Sequence, residues 1–290
     1  MHHAILIICH KVTNALLYTL DEISNDSNTK AFIHVDKKIS LDEFSFIKKY
    51  KNCVLLEQRQ FVSWGSSSQI FCTLNCMNYI FENYQFDYFS LISGDDIFHR
   101  TLNKMNNYLA NNMGVNFIGV SDFSGVSEQD AYKFLYRYNQ LFYKRRTSFY
   151  FRLCRRVVKK LFLFGFFRNK QEQPFEVMYK GINWFTLTYS AIEHILKFCE
   201  NNVLYQKYFD QSFCCDEIFF VSIIFNSPIH KSTLAYLQNN TNDNLMSLRK
   251  IDWDSGPMYP KVYCEEDIKH LCLDDTFILR KIDANIPVER

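Results

Sequence analysis

Two short runs near the start of the chain, Ala4-Ile-Leu-Ile-Ile-Cys9 and Ala31-Phe-Ile-His-Val-Asp36, contain almost nothing polar. A strand with one face in water alternates apolar and polar residues. An unbroken apolar run of this length marks a strand covered on both faces. Between the two runs, Lys11 to Ile23 has helical spacing, with Leu16, Leu17 and Leu20 on one side. Cys53 to Leu56 reads as a short third strand. Ser66-Ser67-Ser68 can cap a helix carrying Ile70, Leu74, Met77 and Phe81. Tyr88 to Ser93 reads as a fourth strand, Leu102 to Asn111 as a helix and Asn116 to Val120 as a fifth strand. This alternation predicts an α/β fold: a doubly wound, mostly parallel sheet flanked by helices. Ligands of such sheets bind beyond the carboxyl ends of the strands, and those ends carry His10, Asp36 and Asp95-Asp96.

With 290 residues, 48% of them hydrophobic, the chain can build a sizeable core. It shows no repeat, low-complexity tract or Pro/Gly-rich linker, so a single domain over 1–290 is expected. The ten cysteines hold no CxxC pair and sit mostly in apolar segments, which excludes a disulfide framework or a zinc knuckle by spacing. No cationic n-region precedes Ala4–Cys9, and no window is long and apolar enough to span a bilayer. These features lead to the expectation of a reducing, cytoplasmic setting.

Charge is unevenly placed. Residues 133–170 hold 12 of the 33 Lys and Arg and none of the 31 Asp and Glu, leaving 21 cations against 31 acids elsewhere. Aromatics interleave with these cations, among them Tyr136, Tyr138, Phe142, Phe149, Phe162 and Phe166. Regular order resumes with a strand expected at Gly181–Leu187 and helices at Ala191–Asn201 and Glu217–Phe225, and Leu271–Ile282 closes the chain. Asp216-Glu217 stands at the mouth of the apolar run Ile218–Phe225, and Arg280-Lys281 follows Phe277-Ile-Leu. A carboxylate followed downstream by paired cations suggests a base for a hydroxyl and a cradle for a diphosphate.

The order of motifs resembles the core-2/I-branching β-1,6-N-acetylglucosaminyltransferases and peptide O-xylosyltransferases, including shorter bacterial members. The matching stretches are Ile7-Ile8-Cys9-His10-Lys11, Ile33-His34-Val35-Asp36, Ser63-Trp64-Gly65-Ser66, Leu91-Ile92-Ser93-Gly94-Asp95-Asp96, Lys180-Gly181-Ile182-Asn183-Trp184, Asp216-Glu217, Ile251-Asp252-Trp253 and Phe277 to Lys281. The resemblance implies a GT-A-type glycosyltransferase fold and inverting transfer from a UDP-sugar, without a metal or other cofactor. N-acetylglucosamine is the leading sugar, with xylose next, and a glycan of a bacterial surface polysaccharide, capsule or lipopolysaccharide is the acceptor. It divides the chain into a nucleotide-sugar half (1–125), an inserted basic element (133–170) and a catalytic half with a C-terminal clamp (171–290).

It also places the general base on Glu217, the second acid of its pair. On residues alone the pair reads first as acids at the positive end of the helix it opens, and the resemblance turns the reading to catalysis. Asp216 is then a neighbour that orients the base or caps the helix. Arg280 and Lys281 are candidates to replace a metal at the diphosphate, because preorganised cations stabilise the charge gained by the leaving group. Lys261 aligns with a family arginine only through a gap. Asp36 falls where the family meets uridine, although a turn-initiating Asp reads the same way. His10 lines that pocket, and His34 alternates to the other side as a structural residue. The adjacent Asp95 and Asp96 invite a metal reading, but donor or acceptor hydroxyl contacts of Asp96 are favoured. Trp184 and Trp253 can stack on sugar or simply pack.

The basic aromatic block matches no family motif. Its Tyr143–Phe167 portion is expected to dock on an anionic membrane, the other reading being a basic cover over the acceptor groove. No nucleic-acid motif accompanies it, so no nucleic-acid partner is expected. A competing reading of the whole chain is a membrane- or polyanion-binding protein on a degenerate transferase fold.

Overall fold

The computed structural model describes residues 1–144, 148–257, 259–271 and 275–286. Of the stretches singled out above, 145–147 in the basic block and 272–274 in the closing segment lie outside them. The expected α/β fold is present. Its main sheet has the order β3-β2-β1-β4-β6, built from β1 (His3–Cys9), β2 (Thr29–Val35), β3 (Cys53–Leu55), β4 (Tyr88–Ser93) and β6 (Thr186–Thr188). All neighbours run parallel except β4 and β6. Ala4, Ile5, Leu6 and Ile7 are wholly buried, as the apolar run requires of a central strand with both faces covered. Each such side chain contributes roughly 1.5–3 kcal/mol by leaving water.

The main helices are α1 (Asn14–Ser24), α2 (Ser68–Asn83), α3 (Leu102–Asn111), α4 (Glu128–Leu135), α5 (Phe149–Leu163), α6 (Tyr189–Asn201), α7 (Val203–Tyr208) and α8 (Asp216–Phe225). α1 starts three residues later than its periodicity suggests, because Thr13 caps it by accepting from Leu16 N–H at 3.0 Å.

Two strand expectations need correction. Residues 116–120 form no strand; they make only the isolated bridges Asn116↔Thr233 and Phe117↔Thr186. The Gly119 N–H instead binds the Ser247 hydroxyl at 2.8 Å. The strand expected over 181–187 shrinks to β6, because residues before it direct their backbone elsewhere: Gly181 N–H to Glu217 C=O at 3.0 Å, and Lys180 C=O to Ser121 N–H at 2.7 Å.

A second, three-stranded sheet was not expected. β5 (Asp96–Phe98) pairs antiparallel with β8 (Ile278–Arg280), which pairs parallel with β7 (Arg249–Ile251). Its register sets Asp96 opposite Arg280. The end of the chain is thereby stitched to the carboxyl edge of β4.

Candidate active site

The carboxyl edge of the main sheet is where strand order turns outward from β1. There Asp36 N–H bonds to Cys9 C=O at 2.9 Å and Gly94 N–H to Ile8 C=O at 3.2 Å. These bonds bring His10, Asp36 and the Gly94–Asp96 turn to one crevice, the usual ligand position of such sheets. His10 is exposed on the turn after β1, with Asp95, Lys11, Lys281 and Asp36 as its charged neighbours. Asp36 is buried and largely builds its own loop: one carboxylate oxygen accepts from Lys38 N–H at 3.0 Å and Val62 N–H at 3.5 Å.

α8 is buried on all sides from Ile218 to Phe225, so it runs through the core and delivers its first turn to the crevice. Asp216 accepts from Asn183 Nδ2 at 2.8 Å and Gln69 Nε2 at 3.3 Å. Burial first, and then the neighbouring Glu217 charge, raise its carboxyl to about 7. Glu217 turns the other way and meets Lys133 Nζ at 2.9 Å. Lys133 also binds Asp130 at 3.0 Å, and Asp130 binds Lys180 at 3.1 Å. Burial alone would lower the Lys133 ammonium; Glu217 and Asp130 outweigh it and raise it.

A second charged cluster surrounds the chain's closing strand. Asp96 is 1% exposed. One of its oxygens accepts from Arg280 at 2.6 Å and from the Ser93 hydroxyl at 3.0 Å; the other accepts from Ser93 N–H at 2.8 Å. Asp96, expected to meet a sugar hydroxyl, has its carboxylate engaged by Arg280 and Ser93 in this structure and so fixes that guanidinium. The other face of Arg280 lies over the Trp184 ring, 4.4 Å from its centroid. Lys281 binds Asp95 at 2.7 Å, with Lys11 at 3.6 Å from the same carboxylate. Burial alone would raise Asp95; Lys281 first, with Lys11 and Arg280, holds it below the ordinary carboxylate value.

The Lys180–Trp184 segment joins the two clusters. Lys180 holds Asp130, Gly181 bonds the Glu217 carbonyl, Asn183 holds Asp216 and Trp184 backs Arg280. Gly181 is required there because a β-carbon would strike the Gly119 carbonyl. Gly65 does similar work with φ +72°: its carbonyl accepts from Cys214 N–H at 2.7 Å, and a β-carbon would press on the Phe213 ring at 3.0 Å. A cavity of about 50 Å³ lies between Ile8, Val62, Gln69, Asn183, Trp184 and Asp216. A larger cavity, about 1070 Å³, is a groove at the β3 edge between α2 and α6, and none of the candidate residues lines it.

Two expected members lie apart from these clusters. Lys261 turns its ammonium to Asp267 at 2.6 Å. Trp253 is 43% exposed and donates to Asn244 at 3.3 Å. Several site residues escaped the sequence reading: Lys133, Asp130, Gln69, Asn183, Ser93 and Arg249. Lys133 carried a signal as the first cation of the basic block, and Asn183 and Ser93 stood within matching stretches without being singled out. Arg249 is wholly enclosed, donating to Leu91 C=O at 3.0 Å and Phe185 C=O at 3.3 Å. Burial brings its guanidinium down to about 10.

Among the described residues, one group of three potential metal ligands comes together: His34, Cys72 and Cys76, with donor atoms within 4.8 Å of one another. Sequence spacing could not reveal it, since His34 is on β2 and the cysteines are on α2. The group does not fit a metal. His34 Nε2 accepts from Gln60 N–H at 3.0 Å, so the neutral ring carries its proton on Nδ1, and a metal would need that nitrogen bare.

The chain is similar over part of its length to several chains of known structure. The first 349 residues of S. aureus TarS match with 12% identity and a TM-score of 0.28, over 50% of this chain and 43% of that one. A longer S. aureus TarS structure gives 13% and 0.29, over 50% and 26%. The 349-residue form in complex with UDP gives 11% and 0.28, over 44% and 37%. The chain thus spans less than half the length of each of these structures. No curated protein sequence matches it. The model of the Core-2/I-Branching enzyme family, however, matches residues 4–274, which is nearly the whole chain, and the protein belongs to that family.

Proposed function

We propose that the protein is an inverting glycosyltransferase that moves a sugar, N-acetylglucosamine foremost, from a UDP-sugar to a hydroxyl of a glycan acceptor in surface-polysaccharide assembly. Family membership supports the reaction class. The observation that carries the residue roles is the Lys180–Trp184 segment. It ties an ionisable pair, Asp216-Glu217, to a stacked and ion-paired cation, Arg280, and its Asn183 and Trp184 line a small cavity together with Asp216.

In the proposed step Glu217 accepts the proton of the acceptor hydroxyl as its oxygen bonds to the anomeric carbon. The bond from that carbon to the diphosphate breaks, and its electron pair leaves with UDP. General-base assistance of this kind is worth about 10²–10⁴-fold. Arg280 and Lys281 meet the charge that develops on the leaving group. Asp96 and Asp95 hold them in place beforehand, so little reorganisation is needed when the bond breaks. With Lys11 the cluster keeps three cations against two acids, an excess that suits a diphosphate. Each of the adjacent carboxylates already faces a cation, so the proposed reaction runs without a metal ion.

The test is Glu217→Gln, assayed for transfer from a UDP-sugar and for UDP binding by calorimetry. Transfer should vanish while UDP still binds, and wild-type transfer should persist in EDTA. Full activity of Glu217→Gln would remove Glu217 from the role of base.

A further inference from the structure

Helix α5 and the corner after it are attached to the body by few contacts. Phe162 is the single fully buried side chain of α5, stacked on Tyr136 with ring centroids 4.5 Å apart. Arg155 anchors the same inner side by donating to Leu141 C=O at 2.8 Å. The outer side is another matter. Phe149, Leu153 and Val157 follow one another at four-residue spacing and are all exposed, with Tyr150 beside them. The chain then turns through Gly165, at φ +79°, and leaves Leu163, Phe164, Phe166 and Phe167 in the open. Phe149, Tyr150, Leu163 and Phe164 are each between 69% and 78% exposed. Beside this apolar strip, at the same helical spacing, stand Arg152, Arg156 and Lys159, all exposed. No acid occurs between residues 133 and 170.

We propose that residues 149–167 form a membrane-docking face, with the apolar strip entering an anionic lipid surface and the cations meeting its headgroups. An uncovered strip of this size on a water-facing helix signals an interaction surface. A basic flank beside it is the mark of a helix that lies in the interface plane. No helix among the described residues is long and apolar enough to cross a membrane, so the attachment is peripheral. A second copy of the chain is a poorer occupant, because it would set this acid-free face against itself. Nucleic acid is also poorer: Leu153, Val157 and Leu163 have no ring for a base to stack on.

The face is joined to the candidate active site through rings. Phe162 packs with Tyr138 and Phe142, Tyr138 stacks on Phe213 at 5.2 Å, and Phe213 meets Trp64 at 5.7 Å. Phe213 lies three residues before Asp216. A docked chain therefore holds its first α8 turn close to the lipid surface, where an acceptor carried on a lipid would arrive. The docking itself does not depend on the transfer reaction.

Co-sedimentation of the full chain with vesicles of phosphatidylcholine, with and without phosphatidylglycerol, tests this. Wild type should partition to the anionic vesicles. Removing three headgroup cations in Arg152→Gln/Arg156→Gln/Lys159→Gln should weaken that partition roughly a hundredfold. Phe149→Ser/Leu153→Ser/Phe164→Ser/Phe166→Ser should abolish it with unchanged Tm and UDP binding, which separates docking from the donor site. Equal partition to both vesicle types, or unaltered partition of the serine variant, would overturn the proposal. So would an oligonucleotide complex or a dimer that depends on these residues in a protein that ignores vesicles.

Discussion

Lys133 Nζ stands 2.9 Å from Glu217 Oε2, so the first cation of the basic block is the direct partner of the candidate base. Both side chains are less than a third exposed. Lys133→Met should cost about 1–3 kcal/mol, as it takes the cation from Glu217, and Glu217→Gln should cost less, as Lys133 keeps Asp130. The double variant should cost clearly less than the sum of the two. Chemical denaturation of the four proteins measures this coupling, and strict additivity would show that the pair contributes nothing.

Asp216 gives stability a pH dependence of defined sign. Folded, it keeps its proton up to about pH 7; unfolded, it loses it near its ordinary value of 3.8. Between those values the folded chain binds the extra proton, so this group's contribution to stability falls as pH rises. Asp216→Asn removes the term. The Tm of the variant relative to wild type should therefore climb between about pH 4 and 7 and level off above. A difference that stays flat would place the Asp216 carboxyl at an ordinary value.

Arg280 is held between the Trp184 ring and Asp96. If it grips the UDP diphosphate, Trp184→Leu should weaken UDP binding about two- to thirtyfold, the reach of one cation–π contact of ~0.5–2 kcal/mol. Arg280→Lys should weaken it further, since an ammonium neither stacks as a plane nor binds phosphate in a fork. Calorimetry with UDP distinguishes these from a site elsewhere, for which both variants would bind as wild type.

Gly181→Ala should destabilise the fold by about 1–3 kcal/mol, because backbone atoms rather than a movable side chain occupy the space. Gly114, with nothing within 4 Å of its would-be β-carbon, is not a matched control: its φ of +89° strains any alanine. Urea denaturation of Gly181→Ala and Gly181→Ser should show the larger side chain costing more.

The main sheet was legible because β1, β2 and β4 are covered on both faces and write that fact as largely apolar runs, broken only by buried polar residues such as His34 and Ser90. The second sheet was not. β5 is three residues long and begins with a buried carboxylate, and it exists as a strand only through pairing with residues near the other end of the chain. The reading of 116–120 failed for the opposite reason: an apolar run was present, but Gly119 sits against the backbone of Asp243 rather than beside a neighbouring strand. Among site residues, Glu217, Asp216, Arg280, Lys281 and Trp184 fall into two linked clusters. Lys133 was hidden by treating the basic block as one unit, when its first cation meets Glu217 and others, Arg152, Arg156 and Lys159, stand exposed on α5. The direction of the Lys261 side chain could not be read from its charge, and in the structure it pairs with Asp267.

The strand that closes the second sheet also sets a timetable. Asp96 and Arg280 are 184 residues apart. At ~5–20 residues per second of synthesis, Asp96 emerges on the order of ten to forty seconds before its partner. Throughout that interval the nascent chain holds a carboxylate destined for burial that has not yet met the guanidinium it pairs with. The main sheet can assemble early, whereas the donor side waits for the last strand to slot between β5 and β7. A ribosome stalled before residue 278 would present the main sheet without β8, and with Asp96 still lacking Arg280.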